Sequence, residues 1–416
     1  MHAFSFPNGF RLGVASAATQ IEGDNQNSNW YDWYQKGHIK DGSDPDVTTA
    51  HYRRVTEDAD LMADLGIRDA RIGLEWARLE PAPGQFDEAA FQHYRDELCL
   101  LQARGIHVLL TLHHFSNPIW FEQQGAFLSR DAVPVFLRYV DAVLAHLGDL
   151  VQDYITINEP NVYATCGYLF GSFPPGETSV SHTFRVMRVM AKCHRLAYDR
   201  IHKWYADQKL AAPLVSFAAH LRAFAPKKPN SLWQRFLTPI ARWAFQGHVH
   251  NAFSKKGKYV DFWGLNYYSR TAVAGLQDDV MDDCCVTDLG WEIYPNGIVE
   301  CCKELQRIKQ LSIFITENGV CDNRDAYRGR YLYEHLHALS QSGLPVERYY
   351  HWCFVDNFEW LEGMTAKFGL VSLSPDTLAR IVKKSGWFYA EMIKAHGVTA
   401  KMYDTYCRAQ YPVKED

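Results

Sequence analysis

Apolar segments of strand length alternate with helical segments along this chain, and no other feature narrows its fold as much. Residues 11–15, 69–74, 107–112, 154–157, 213–217, 261–267, 313–316 and 349–354 read as eight strands. The runs at 154–157 and 313–316 are continuous and β-branched, the composition of strands covered on both faces in a parallel sheet. Between strands, Leu61 and Leu65 share a helical face within 56–65. Phe91, Tyr94, Leu98 and Leu101 line a second helix and Phe136, Val140, Val143 and Leu147 a third, with Gly66, Gly105 and Gly148 as stops. Helices also fit 183–206 and 385–396, whereas 222–256 mixes basic, proline and aromatic residues and reads as loop and helix. A chain of 416 residues would hold two or three average domains or one large barrel. No repeat, low-complexity tract or linker divides it, so the alternation predicts an α/β fold, a single (β/α)8 TIM barrel, with residues 1–416 as one catalytic domain.

Two of these strands end in the same unusual way. The segment T-I-N-E-P at 156–160 puts Glu159 at the carboxyl end of a strand, beside Asn158 and before a proline that cannot donate to a ladder. The segment I-T-E-N-G at 315–319 repeats the build with Glu317, now halted by glycine. Either glutamate alone would pass for a solvated strand-end carboxylate. In a barrel of parallel strands both would face one mouth, and two carboxyls meeting there are the minimum equipment for cleaving a glycosidic bond.

Composition narrows the partners. Net charge is −5 and no long basic run suggests nucleic acid; the cluster Lys255, Lys256 and Lys258 reads as a solvated loop. No apolar run approaches the roughly 18 residues that cross a bilayer, and the opening residues show no basic stretch leading into an apolar one. The expectation is a soluble, cytoplasmic protein with neither nucleic acid nor membrane as partner; a homo-oligomer is left open. Ten cysteines without a C-x-x-C spacing match neither a disulfide framework nor a zinc site, and His113, His248, His250, His335 and His337 lack metal-like neighbours. No metal and no cofactor is expected.

With these motifs in view, the chain resembles the family 1 glycoside hydrolases, the β-glucosidase and β-galactosidase family. The resemblance runs from F-R-L-G-V-A-S-A-A-T-Q at 10–20 through the two glutamate motifs and D-N-F-E-W at 356–360 to K-S-G-W at 384–387. It implies a retaining hydrolase of terminal non-reducing β-D-glycosides: β-glucosides first, with β-fucosides and β-galactosides as further substrates. By the same matching, Glu159 would be the acid/base and Glu317 the nucleophile. Arg71, in R-x-x-x-E-W-x-R, would hold Glu317 ionised, and Tyr268, in N-Y-Y, would orient it. Asn158 would bond the sugar 2-hydroxyl. Gln20, His114, Glu359 and Trp360 would bind sugar hydroxyls, Trp352 would floor the ring, and Phe368 would close the pocket near the 6-position.

Retention calls for carboxyls about 5–5.5 Å apart. With Glu317 ionised that close, Glu159 is expected to stay protonated towards neutral pH. The substrate would be a small β-glycoside or oligosaccharide. A 6-phospho-β-glycosidase is a weaker reading, because Glu359 and Trp360 are intact and a carboxylate would repel phosphate. A non-catalytic sugar-binding protein on the same barrel is equally weak, because both glutamates are present. A transglycosidase needs the same residues as a hydrolase and stays open. Three departures from the family pattern bear on the sugar pocket and the aglycone: Phe115 stands where a tryptophan is usual, 222–256 is unlike the family, and the loop after Glu317 is short.

Overall fold

The computed structural model describes residues 2–275 and 278–414. Its centre is a barrel of parallel strands: β1 (Arg11–Ala15), β2 (Asp69–Gly73), β3 (His107–Thr111), β4 (Asp153–Asn158), β5 (Leu214–Pro226), β6 (Trp263–Val273), β7 (Ile313–Asn318) and β8 (Val346–Trp352). Each strand pairs in parallel with the next, and β8 returns to β1 in the register Arg348↔Arg11 to Trp352↔Ala15. Closure leaves no unpaired edge. The alternation in the sequence predicts this (β/α)8 barrel correctly.

The helices that separate the strands are α1 (His51–Asp64), α2 (Glu88–Ala103), α3 (Ala132–Leu147), α4 (Pro160–Tyr168), α5 (Val180–Asp207), α6 (Leu232–Arg242), α7 (His248–Ser254), α8 (Asn296–Ile308), α9 (Arg328–Ser340) and α10 (Lys384–Ala395). Asp87 starts α2 by accepting from the backbone of Ala89 and Ala90 at 2.9 and 3.0 Å, and the helix buries Phe91, Tyr94, Leu98 and Leu101. Gly66 follows α1 with φ of 77°, the left-handed exit that glycine takes freely. Gly148 stops α3 for a different reason. Its φ is −63°, and a Cβ there would sit 2.7 Å from the Trp204 ring of α5, so close helix packing requires the glycine.

The region 222–256 is loop and helix as expected, except that its first residues, 222–226, continue β5. Both β5 and β6 overrun their predicted segments and stay paired as Phe224↔Thr271 and Pro226↔Val273, extending a two-stranded ribbon past the barrel's carboxyl end. The chain then forms α6, a wide five-residue turn over Trp243–Gly247, and α7. Among the described residues no helix is long and apolar enough to cross a membrane.

Candidate active site

Glu159 follows the last residue of β4. Its backbone N–H donates to Ala218 O on β5 at 2.7 Å, while Asn158 N–H donates to His113 O at 2.9 Å. Glu159 itself is left-handed, with φ 40° and ψ 58°, and Pro160 fills the first turn of α4, where a missing N–H is harmless. A non-glycine residue in that conformation costs about 1–3 kcal/mol, which the flanking strand and helix must hold in place. The proline predicted to halt the strand therefore also starts a helix. Glu317 sits one residue before the end of β7. Both glutamates line one cleft of about 220 Å³ at the carboxyl ends of the strands, with His114, Trp352, Glu359 and Trp360.

The two carboxyls are held differently. Glu317 Oε1 accepts from Arg71 Nη1 at 2.5 Å and its Oε2 from the Tyr268 hydroxyl at 2.7 Å. Arg71 is fully buried on β2, and its other donors reach Thr111 Oγ1 at 3.0 Å and Asn158 Oδ1 at 2.7 Å. A buried guanidinium is tolerable only with its donors satisfied, and here they tie β2, β3, β4 and β7 together. Glu159 Oε1 accepts instead from Asn266 Nδ2 at 2.8 Å and lies 3.3 Å from His220 Nδ1. Neither Asn266 nor His220 figures in the sequence reading.

Gln20 Nε2 donates to Phe358 O at 2.8 Å and to Glu359 Oε2 at 3.2 Å, and the Trp352 indole donates to the same oxygen at 3.3 Å. The Asn158 amide donates to His114 Nε2 at 2.9 Å, so that ring nitrogen is the acceptor and Nδ1 carries the proton. Burial, with Arg71 nearby, keeps the His114 imidazole neutral by lowering its pKa well below the usual range. Gln20 Oε1 and His114 Nδ1 are buried without a partner in the protein, an acceptor and a donor ready for a ligand. Phe368 lies behind the cleft wall, against Tyr268 and Trp291 at ring separations of 6.3 and 6.1 Å. Phe115 is buried in the cleft wall, its ring 5.2 Å from Trp360 and 5.7 Å from Phe173.

Charge within the cleft differs from the expectation. Burial, then the neighbouring Glu159 charge, push Glu317 up to about 7, against the pull of Arg71 and Tyr268. Glu159 is just as buried, yet His220 and Asn266 outweigh that burial and hold it below the ordinary carboxyl range. His220 and Asn266 thus favour the charged form of Glu159, where the weighing of the two carboxyls alone favours its protonated form. Burial also pushes Glu359 up to about 8.

Residues 2–259 and 245–398 match the sequence model of Glycosyl hydrolase family 1. The chain belongs to glycosyl hydrolase family 1. Beta-glucosidase A of Thermotoga maritima is 30% identical to it over 444 residues, covering 96% of this chain and all of the relative. A beta-glycosidase structure from Pyrococcus horikoshii superimposes with a TM-score of 0.89 at 30% identity, over 97% of this chain and 98% of its own. A chloroplastic galactolipid galactosyltransferase of Arabidopsis thaliana is 30% identical over 89% of this chain and 61% of its own length. Family 1 membership makes the chain an O-glycosyl hydrolase, and the strand-end motifs carry that assignment.

Proposed function

We propose that the chain is a retaining β-glycosidase acting chiefly on terminal β-D-glucosides, with β-fucosides and β-galactosides as further substrates, in one domain spanning residues 1–416. One observation carries this reading: two buried carboxyls line a single cleft in opposite settings, Glu317 between Arg71 and Tyr268, Glu159 between Asn266 and His220. Glu317 attacks the anomeric carbon while Glu159 protonates the leaving oxygen; a glycosyl ester forms and the aglycone departs. Glu159 then takes a proton from water, which attacks the same carbon and frees Glu317. Attack requires the shared proton on Glu159, which Arg71 and Tyr268 favour by binding charged Glu317. Esterification removes that charge, and the contacts of Glu159 with His220 and Asn266, which favour its charged form, then help it ionise for the water step. Asn158 suits the sugar 2-hydroxyl, Gln20, His114, Glu359 and Trp360 the other hydroxyls, and Trp352 the ring face. Ten cysteines, all free, suit a reducing cytoplasm.

A panel of nitrophenyl β-D-glycosides (glucoside, galactoside, fucoside, mannoside, glucuronide, 6-phosphoglucoside) tests the reading. The glucoside should turn over fastest. Preference for the 6-phosphoglucoside would move the substrate class, and binding without turnover would make the protein a sugar-binding one. The galactolipid galactosyltransferase relative favours one second reading, transfer to a sugar or alcohol in place of water. Product analysis with an added acceptor separates the two.

Two variants probe the site's finer parts. Glu359→Ser should lose about 10- to 100-fold in kcat/KM on a glucoside, the weight of a charge-assisted or buried hydrogen bond, and less on the 6-deoxy-glucoside. Equal losses would remove the contact to the 6-hydroxyl. His220→Asn should move the basic limb of the kcat/KM profile on cellobiose to higher pH. His220 beside Glu159 lowers the pKa of that carboxyl, so removing the ring makes Glu159 hold its proton more tightly. A limb that stays in place would show that His220 does not tune Glu159.

A further inference from the structure

Helix α6 carries its polarity inside out. Its protein-facing Gln234 is buried, donating to Ala274 O at 3.0 Å and accepting from Lys228 N–H at 2.6 Å, which pins the helix to the end of the β5–β6 ribbon. Its large apolar residues point the other way: Leu232 is 78% exposed, Trp233 63%, Phe236 62%, Ile240 47% and Trp243 58%. At about 100° per residue these five positions fall within roughly one quarter-turn of arc, a single stripe. The Trp233 and Phe236 rings stack at 6.0 Å. The stripe continues onto α5, since Trp243 and the exposed Phe184 both pack on His248, at 5.6 and 5.8 Å. A patch of this kind, contiguous and rich in tryptophan, marks an interaction surface.

Charge says what it fits. Residues 222–260 hold eight Lys or Arg and no Asp or Glu, in a chain whose net charge is −5. Lys228, Arg235 and Arg242 are exposed, the two arginines along one edge of the apolar stripe. An aromatic-aliphatic stripe edged by basic side chains is the pattern of a helix lying in the headgroup layer of anionic lipid, where indole rings sit well and cations meet lipid phosphates. The patch also adjoins the cleft. The turn after α6 is tied to β5 by Arg222 N–H donating to Gln246 Oε1 at 3.0 Å, and its Phe245 ring lies 5.7 Å from His220, the neighbour of Glu159.

We propose that this face docks on the surface of an anionic lipid bilayer and turns the barrel mouth towards it, so that β-glycosides with a membrane-anchored aglycone are substrates. The docking half stands on α6 and the aromatic and basic residues beside it; the substrate half rests on the glycosidase reading above. The expectation of no membrane partner was drawn from the absence of spans and signals, and a peripheral contact requires neither.

The test is co-sedimentation of the full chain with phosphatidylcholine vesicles, with and without phosphatidylglycerol, beside the double variant Trp233→Ser/Phe236→Ser. Wild type should bind the phosphatidylglycerol vesicles, release them as salt rises, and bind at least about tenfold better than the variant. The variant should keep wild-type melting temperature and turnover of nitrophenyl glucoside. No binding by wild type, or equal binding by the variant, overturns the docking. So does wild-type self-association that the variant abolishes without any vesicle binding, which would make the face a contact between copies. For the substrate half, wild type should cleave dodecyl β-glucoside embedded in the vesicles faster than the variant does; equal rates overturn it. Vesicle binding with no cleavage of any β-glycoside would leave the docking standing and remove the glycosidase reading instead.

Discussion

A 2-deoxy-2-fluoro-glucoside should esterify Glu317 quickly and leave it slowly, and the peptide bearing the added sugar should be the one containing that residue. The fluorine pulls electron density from a centre that becomes oxocarbenium-like in both steps, so both slow; a reactive leaving group restores the first step only. Glu317 is placed to accept the label because Arg71 and Tyr268 bind its two oxygens from the protein side, at 2.5 and 2.7 Å. Glu317→Gln removes the bond-forming oxygen and should lower kcat on the order of 10⁶-fold, the scale at which covalent nucleophiles are lost elsewhere. Digestion and mass spectrometry read the labelled residue, and product stereochemistry reads the mechanism. Label on another residue, or inverted product, removes Glu317 from the role and retention with it.

The barrel was legible because apolar strand segments alternate with helical ones, and the site because two of those strands end in chemistry that a strand alone does not need. Glu159 and Glu317 are apolar-strand endings with a carboxyl beside an asparagine, and the fold brings both to one cleft. Arg71, Asn158, Tyr268, Gln20, His114, Trp352, Glu359 and Trp360 assemble around them through the hydrogen bonds and ring contacts described above. What the sequence did not disclose was second neighbours. Asn266 stood in view, two residues before Tyr268 in N-Y-Y, yet its amide reaches Glu159 only because β6 lies two strands from β4 around the barrel. His220 lies beyond the apolar run 213–217, where β5 overruns its predicted end; a polar residue following an apolar strand was its only signal. His220 also favours the charged form of Glu159, an influence that the two carboxyls weighed against each other do not show. The polarity of α6 was equally hidden, because periodicity locates an apolar stripe without saying which way the stripe faces.

Glu159→Ala should separate the two chemical steps. General acid assistance is worth about 10²–10⁴-fold, but only where the leaving oxygen needs a proton. The variant should therefore lose about that much in kcat/KM on alkyl glucosides or cellobiose, and far less on dinitrophenyl glucoside, whose phenolate leaves unaided. With that substrate the ester on Glu317 should accumulate, because no base remains to activate water, and a burst of dinitrophenol should precede a slow steady state. Azide is small and already anionic. It should enter the vacated space beside Asn266 and His220, raise turnover and yield the β-glycosyl azide, its configuration set by attack from the face that water would use. The pH profile supplies a third reading: the limb that reports Glu159 should disappear in the variant, while the limb that reports ionisation of Glu317 remains. A variant that loses equally on every leaving group, ignores azide and keeps both limbs would show that Glu159 is not the acid/base, and the proton would have to come from another group in the cleft.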